Sequence, residues 1–430
     1  MLWPQDLWEF SSAFPEKRYR YGRRKCQGRV FCKSSVYNDL TAKYPVIPES
    51  TDVGTTEAPA HPPPPSDAVE FPIGWLLKNA AAPIQYRAIK DVVALDDASD
   101  EFVSIALNFR QSLEIALAQR SDGTWGGKML AVPSGARFQV GQLGTISAAR
   151  RLLESGWGRE TPPIHQARRI LFRLLAEDDD QNFLFEFREA GRMDLDRVRR
   201  GRGILREAAA ATLARAGFEQ DPRVRGAASR ALARIERFVS SPLAARPWIR
   251  VGNKQVLAPE AAPPSIYALE MLAFMPAFRL ENSTRMDQLY AYVTQPLPRQ
   301  ESVQLVGDAV VEQPHLVLGD WLPHANAADA DVPMALYWLE LMARLQFLRR
   351  NEGWSRVFNR FLGHRDRDGV WHSHSGLAAP KSSNPLVWHA FPLEPTVERE
   401  GKWTDVTFRL GLIAKLSGRQ IEAIQAARRT

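Results

Sequence analysis

Histidine and aspartate side chains gather in one part of the chain, and they are the residues best able to do chemistry. Six of the eight histidines lie between positions 315 and 389, with several aspartates among them. Imidazole and carboxylate groups together can hold zinc or another divalent metal, and a metal-bound water is a nucleophile near neutral pH. His372 and His374 would supply two metal ligands from one extended segment. The candidate catalytic acids and bases are Asp320, Asp329 and Asp331.

An ordinary structural role fits the same residues. Asp331 stands just before Val332-Pro333, where a side-chain oxygen could cap a helix. Asp368-Gly369 is typical of a tight turn. The spacing of the histidines matches no established metal signature. The sequence therefore leaves two hypotheses open, a divalent-metal centre and a set of caps and turns.

Aromatic residues form a second candidate set, suited to binding an apolar ligand. Aromatic faces in a cavity could bind an isoprenoid chain or stabilise a carbocation, an attraction worth up to ~2 kcal/mol when desolvated. Plain core packing explains them equally well. The candidate ligand-binding residues are Trp248, Tyr267, Tyr337, Trp338, Trp371 and Trp388.

An acidic run, Glu177-Asp178-Asp179-Asp180, offers a third kind of chemistry. Clustered carboxylates can bind magnesium and, through it, a diphosphate. A solvated acidic end of a helix would have the same composition. Both interpretations of this run stay open.

Glycine and proline divide the chain that must position these residues into helical hairpins. Residues 143–153 and 204–216 have helical periodicity, and Gly156 and Gly217 end them. Pro162 and Pro222 then begin the partner helices. The two units repeat after about sixty residues. Residues 333–349 are the clearest helix, and 302–311 is the only strand candidate, so the sequence predicts an all-α body with long irregular loops.

The two ends of the chain differ in composition from the body. We expect a disordered basic extension over 1–46, a proline-rich linker over 47–70, the folded domain over 71–419 and a tail over 420–430. Residues 1–46 hold nine Lys or Arg against four acids, so they carry five of the seven net positive charges. The body itself is close to neutral, which argues against nucleic acid as its partner.

Cysteine content and hydropathy bear on the compartment. Both cysteines, Cys26 and Cys32, lie in the basic extension, so the body has no disulfide framework and no thiolate metal site. The longest apolar stretch, near residues 266–278, contains Glu270 and is too short to span a bilayer. The N-terminus has no apolar segment typical of a signal peptide. We therefore expect a cytoplasmic protein without a transmembrane segment.

One motif connects the chain with a known superfamily. Gln119, Gly123 and Trp125 form Gln-x3-Gly-x-Trp, which resembles the glutamine–tryptophan motif of squalene and hopene cyclases. A second, partial copy ends at Trp371 and has Arg365 in place of the glutamine. Those enzymes share an α/α-toroid fold of helix hairpins with protein prenyltransferases. The resemblance implies an α/α toroid, with a central cavity that binds an isoprenoid or another apolar ligand.

The catalytic motifs of that superfamily do not carry over to this chain. The Asp-x-Asp-Asp motif of triterpene cyclases is absent from the sequence, and residues 71–419 contain no cysteine to ligate zinc. Whether the chain is an enzyme is therefore left open, as are its ligand and oligomeric state.

Two other functions fit an all-α body of this kind. A carbohydrate-active α/α barrel would use paired carboxylates beside aromatic residues. Its candidates would be Asp366, Asp368, Glu394 and Glu398, near Trp371. A non-catalytic helical scaffold that binds a protein partner is the other alternative.

Overall fold

The computed structural model describes seven stretches of the chain, all within the unit Pro63–Thr430. These are residues 68–94, 103–133, 140–176, 195–322, 325–373, 384–393 and 402–424. The predicted basic extension, both cysteines, the acidic run at 177–180 and His374 lie outside the described residues. No helix in the described stretches is both long and apolar enough to cross a membrane.

Helices dominate, as the sequence predicts. In chain order they are α1 (Ile73–Asn79), α2 (Ala82–Arg87), which continues as a π-helical turn (Ala88–Val93), α3 (Arg110–Leu117), α4 (Thr145–Glu154), α5 (Pro162–Leu175), α6 (Leu195–Arg215), α7 (Pro222–Val239), α8 (Pro242–Ala245), α9 (Ile266–Ala273), α10 (Pro276–Glu281), α11 (Ser283–Val293), α12 (Ala325–Ala330), α13 (Val332–Arg344), α14 (Glu352–Gly363) and α15 (Thr404–Leu416). The strands are β1 (Ala68–Phe71), β2 (Trp248–Val251), β3 (Lys254–Leu257), β4 (Val303–Val306), β5 (Ala309–Glu312) and β6 (Gln420–Ala423).

The helices are of two kinds, distinguished by how much of their surface is buried. Helices α4, α9, α13 and α15 are buried on nearly all sides. By contrast, α5, α7 and α14 bury a single apolar stripe and expose charged residues on the other face, as amphipathic helices do. Together with α6, the buried helices form a succession of contacts: α4 packs against α6, α6 against α9, α9 against α13, α13 against α15, and α15 against the π-helical turn.

The predicted punctuation of the hairpins is present. Gly156 and Gly217 have φ angles of +94° and +88° and end α4 and α6. The residue after each glycine donates its N–H to a carbonyl five residues earlier, which satisfies carbonyls that the helix end leaves open. Pro162 and Pro222 begin α5 and α7. A helix end of the same kind occurs at Gln346, which has φ +64° although it is not a glycine.

The helix predicted over residues 333–349 is shorter in the structure. The sequence predicts one helix over residues 333–349, because apolar residues continue at helical spacing to Leu348. In the structure α13 ends at Arg344, and a separate 3-10 turn follows over Leu348–Arg350. The left-handed backbone at Gln346 stops the helix, which apolar periodicity alone does not reveal.

The turns at Trp125 and Trp371 have the same geometry, although their sequences match only in part. The tryptophan backbone N–H donates to a threonine hydroxyl in each, Trp125 to Thr145 and Trp371 to Thr407, both at 3.1 Å. Gly123 and Gly369 take left-handed conformations at the same position, with φ angles of +88° and +78°. Thus each turn fixes the start of a buried helix, α4 or α15.

Gln119 and Arg365, the residues that differ between the two turns, both reach across to another part of the chain. The Gln119 side-chain amide donates to the carbonyl of Pro163 in α5, at 2.9 Å. The Arg365 guanidinium donates to the carbonyl of Glu70 in β1, at 2.6 Å. The first turn therefore contacts the next hairpin, and the second contacts the beginning of the described chain.

Replacing Gly123 with alanine should be costly. A Cβ at Gly123 would lie 3.0 Å from the Gln166 carbonyl oxygen, and the residue has positive φ. We expect Gly123→Ala to lower the free energy of unfolding by about 1–3 kcal/mol, as measured by urea denaturation. Gly127→Ala is the matched control, because a Cβ there meets no atom within 4 Å. Equal losses in both variants would contradict the proposed close approach.

The described residues also contain two small sheets, of which the sequence predicts only one strand. The predicted strand at 302–311 is the hairpin of β4 and β5, but β2 and β3 form a second hairpin in a stretch that seemed irregular. Together they make a four-stranded sheet of order β2-β3-β4-β5. β1 and β6 pair in parallel, so residues 420–423 of the predicted tail are a strand. Strands of four residues are too short for a clear alternation to appear in sequence.

Candidate functional site

The three predicted catalytic aspartates each have a separate partner. Asp331 caps α13 by accepting from the Met334 N–H at 3.0 Å, as the structural interpretation of the sequence had it. Asp329 forms an ion pair with Arg360 at 2.7 Å. Asp320 is buried and accepts from the Trp354 indole N–H at 2.8 Å. Burial raises the pKa of Asp320, and its hydrogen bonds offset only part of that effect.

The predicted metal ligand His372 lies in a small surface cluster. Its Nε2 is 2.7 Å from a carboxylate oxygen of Asp366, and Lys402 Nζ is 3.5 Å from the same oxygen. Asp366 also accepts from the N–H groups of Asp368 and Val370, so it organises the turn before Trp371. Among the described residues, no three His, Cys, Asp or Glu side chains are grouped to hold a metal ion. His374 and the candidate carboxylates Glu394 and Glu398 lie outside the described stretches.

Several of the predicted aromatic residues are in the packed core. Trp338 and Trp371 are fully buried, and Trp338 stacks on Trp321 with ring centroids 4.9 Å apart. Trp248 is half-buried in β2. Tyr267, Tyr337 and Trp388 differ from these because each contacts a buried charged or titratable group. Those three residues lead to a site that the sequence analysis did not propose.

Glu270 of α9 is the centre of the first buried polar cluster. Its two carboxylate oxygens each lie 2.5 Å from Arg150 Nη2. The Tyr337 hydroxyl donates to it at 2.5 Å, and His389 Nε2 lies 3.3 Å away. Arg150 also lies over the ring of Tyr267, 5.3 Å from its centroid. Burial alone would raise the pKa of Glu270, but Arg150 and the hydrogen bonds outweigh it and lower the pKa well below 4.5.

His389 is the least satisfied member of this cluster. It is 2 % exposed, and its Nδ1 makes no hydrogen bond to any described residue. Burial and the nearby charge of Arg150 lower the pKa of His389 to about 3, although Glu270 opposes them. The imidazole is therefore neutral at pH 7, and a buried polar atom without a partner is uncommon in a native core.

Glu154, at the end of α4, is the centre of a second buried cluster. It forms ion pairs with Arg87 of α2, Arg215 of α6 and Arg409 of α15. Arg409 continues to Glu340 of α13, with a nitrogen–oxygen distance of 2.6 Å. Thus arginines from three elements converge on the carboxylate of Glu154, and one of them also pairs with Glu340.

Guanidinium groups slightly outnumber carboxylates in the two clusters. The described residues contribute six arginines: Arg87, Arg150, Arg151, Arg215, Arg344 and Arg409. They contribute five carboxylates: Asp91, Glu154, Glu270, Glu340 and Asp405. Asp91 is the most exposed of the five. The two clusters thus contain one more guanidinium group than carboxylate, and Arg215 and Arg344 are the arginines among them that keep some exposure.

The pKa values of two arginines are lowered, because neighbouring carboxylates only partly offset the effect of burial. Burial, reinforced by the charge of Arg87, lowers the pKa of Arg215 to about 9. Burial lowers the pKa of Arg151 to about 10, and Asp405 only partly offsets it. Arg151 donates to the carbonyls of Trp388 and Pro392 and lies over the Trp388 ring. Both arginines stay charged at pH 7, and another anion nearby would stabilise the charged form of each.

Arg215 lies where the two clusters meet. Its guanidinium lies over the Phe274 ring at 5.1 Å, and that of Arg344 lies over the same ring at 4.5 Å. The charge of Arg215 also affects the pKa values of His389 and Glu340. Arg215 and Arg344 stand at the carboxyl ends of α6 and α13, where the helix dipole favours a cation.

The signal for these residues was present in the sequence but weak. Glu270 is the one charge in α9, while Glu340 and Arg409 lie in the mainly apolar middles of α13 and α15. An isolated charge inside an apolar helix is rarely buried unless it is paired. The pairing could not be inferred, since the partners are far apart in sequence.

No known protein family matches the chain, and neither a curated protein nor a solved structure matches it. The class of protein that fold and site define is therefore a mainly helical one with two buried ionic clusters.

Proposed function

We propose that this chain is an α/α-toroid protein whose centre binds a small ligand with an apolar body and an anionic group. We propose the toroid because the sequence resembles proteins of the terpenoid-cyclase and prenyltransferase type. The ligand part rests on one observation, the six guanidinium groups that converge beside aromatic side chains and exceed the carboxylates of the two clusters by one. Both parts concern binding, and neither assigns a reaction.

The succession of helix contacts supports a closed ring. The buried helices contact one another in order from α4 to α15, and α15 contacts the π-helical turn after α2. The ion pair of Glu154 with Arg87 joins α4 to α2. The bond from Arg365 to Glu70 and the pairing of β1 with β6 join the last described segment to the first. A ring of this kind would direct the buried helices toward one centre.

The ionic clusters support an anionic ligand. Charged groups on α2, α4, α6, α9, α13 and α15 converge on one another. In a ring of these helices, the point of convergence would be the centre. A buried positive surplus costs solvation energy, and an incoming phosphate or carboxylate would offset that cost. The aromatic rings of Tyr267, Phe274 and Trp388, each in contact with an arginine, suit the apolar part of a ligand.

The carboxylates of the two clusters do not supply the proton donor that a glycosidase needs, and Asp320, whose pKa is raised by burial, lies outside these clusters. A glycosidase needs one carboxylic acid with a raised pKa as its proton donor. The pKa values of Glu270 and Glu340 are instead lowered, because arginine charges outweigh the effect of burial. Two carboxylates fixed in the ionised form would stabilise cations rather than donate protons.

Ligand binding can be tested with matched probes. We expect farnesyl phosphate to raise the melting temperature of the full chain, and farnesol and inorganic phosphate to raise it less. A ligand at a hundredfold excess over its Kd adds about 2.7 kcal/mol to the free energy of unfolding. If farnesol binds as tightly as farnesyl phosphate, the anionic part of the proposal is wrong.

Arg215→Met tests the role of the cation surplus with little risk to the fold. Glu154 would keep Arg87 and Arg409, so no buried carboxylate loses its last partner. We expect this variant to fold and to bind farnesyl phosphate about tenfold more weakly. The control is Arg223→Met, since Arg223 also pairs with a carboxylate and stacks on a phenyl ring, but at the surface.

The scaffold hypothesis is the second candidate, and a specific observation favours it. Each of the buried carboxylates Glu154, Glu270 and Glu340 already has an arginine partner, so the clusters could serve only to hold the helices together. Under that hypothesis, none of the three probes changes the melting temperature of the wild type.

A further inference from the structure

A second site lies away from the buried clusters, where the 3-10 turn, α14 and the end of α15 meet. These elements border a cavity of about 190 Å³ that is open to solvent on one side and is lined by Leu348, Arg349, Ser355, Phe358, Ser417 and Arg419. Two guanidinium groups, two hydroxyls and two apolar side chains therefore face one small space.

Contacts with neighbouring residues hold Arg419 at this cavity, and Arg349 lies beside it. Arg419 lies over the Phe358 ring at 5.1 Å and donates to the side-chain oxygen of Asn359 at 2.6 Å. Arg349 crosses the turn after α15, and its Nη1 lies 3.3 Å from where a Cβ of Gly418 would be. Gly418 has φ +78°, so the glycine permits both the turn and this close approach. Little side-chain entropy would be lost when Arg419 binds a ligand.

The two serines present oxygen acceptors. Ser355 donates its hydroxyl hydrogen to the Leu348 carbonyl at 3.0 Å, and Ser417 donates to the Ala414 carbonyl at 2.8 Å. Each hydroxyl oxygen keeps a lone pair for an incoming donor. A phosphate dianion offers acceptors only, so the guanidinium groups match the phosphate, and the serines match hydroxyl groups elsewhere on the ligand.

We propose that this cavity binds the phosphate monoester of a small polyol, a ligand with anionic oxygens at one end and hydroxyl groups at the other. Arg349 and Arg419 bind the phosphate, while the oxygens of Ser355 and Ser417 accept from the polyol hydroxyls. Leu348 and Phe358 contact the carbon backbone. This site is independent of the function proposed for the buried clusters.

Arginine at the end of α15 has another physical role, because a cation near a helix carboxyl end stabilises the helix dipole. That role predicts a loss of stability when either arginine is replaced, but no selective ligand. The two explanations differ in what the cavity binds, and calorimetry can separate them.

The test is titration of the full chain with glycerol 3-phosphate, inorganic phosphate and glycerol by isothermal calorimetry. We expect glycerol 3-phosphate to bind most tightly. Arg349→Gln and Arg419→Gln should each weaken it about tenfold or more. Ser417→Ala should weaken glycerol 3-phosphate but not inorganic phosphate. Arg350→Gln is the control, since Arg350 pairs with Asp287 and lies over Tyr290 instead.

Three results would overturn the proposal. The first is no binding of glycerol 3-phosphate to the wild type. The second is equal loss in Arg350→Gln, which would indicate a general charge effect. The third is equal affinity for inorganic phosphate and glycerol 3-phosphate, with no effect of Ser417→Ala. Melting temperatures of all variants check that each is folded at the temperature of the titration.

Discussion

Replacing Glu154 with glutamine should lower the free energy of unfolding by about 3–5 kcal/mol. Glu154 is fully buried and pairs with Arg87, Arg215 and Arg409. The amide keeps the size of the side chain but removes the charge, so three buried guanidinium groups lose their shared anion. The loss would be a large part of the 5–15 kcal/mol that typically stabilises a protein. Urea denaturation followed by circular dichroism measures it.

The control for this variant is Glu114→Gln. Glu114 pairs with Arg110 at 2.9 Å, but both side chains are well exposed. Exposed pairs contribute about 0–1 kcal/mol because water screens them, so little change is expected. If Glu154→Gln lowered the free energy of unfolding no more than Glu114→Gln does, the cluster around Glu154 would not stabilise the fold. Other groups would then have to neutralise the three arginines.

Acid should destabilise the protein already between pH 6.5 and pH 4, before most carboxylates are protonated. Burial lowers the pKa of His389 to about 3 and that of His315 to about 4, from 6.5 for an ordinary histidine. As pH falls below 6.5, the unfolded chain binds protons that the folded chain does not. The stability present above pH 6.5 is therefore lost as pH falls toward 4, by up to about 1.4 kcal/mol per pH unit for each histidine.

Variants can assign this pH dependence to single residues. We expect His389→Gln to reduce the slope of unfolding free energy against pH between 6 and 4.5 by about one proton. The control is His165→Gln, because His165 is exposed on α5. The lowered pKa values of Glu270 and Glu340 add a further loss below pH 4.5, where these carboxylates begin to be protonated in the unfolded chain. An unchanged slope in His389→Gln would show that His389 is not buried in the neutral form.

Local features of the fold were predictable from sequence because their causes are local. Glycines at helix ends, prolines at helix starts and helical periodicity act within a few residues, and the observed bounds of α4, α5 and α7 follow them closely. The end of α6 was also predicted, but α6 begins at Leu195, well before the predicted start at residue 204. The turn at Trp125 was recognisable for the same reason. The ending at Gln346 was not, since its left-handed backbone follows from packing and not from residue type.

The short strands show how tertiary contacts outweigh local preference. β1 pairs with β6, more than three hundred residues later in the chain. A four-residue segment has too little alternation to predict a strand, and only its partner determines its conformation. For this reason the sequence predicted an all-α body, whereas the structure adds two small sheets at points where distant segments meet.

The sequence by itself determined that this protein is mainly helical, where many of its helices begin and end, and which turn repeats. Only the tertiary structure decided which charges are buried together. Arg150 meets Glu270 across 120 residues, and Arg409 meets Glu154 across 255. An isolated charge in an apolar helix predicts that a partner exists, because an unpaired buried charge is too costly. It does not identify that partner, since ion pairing depends on distance in space, which the fold alone sets.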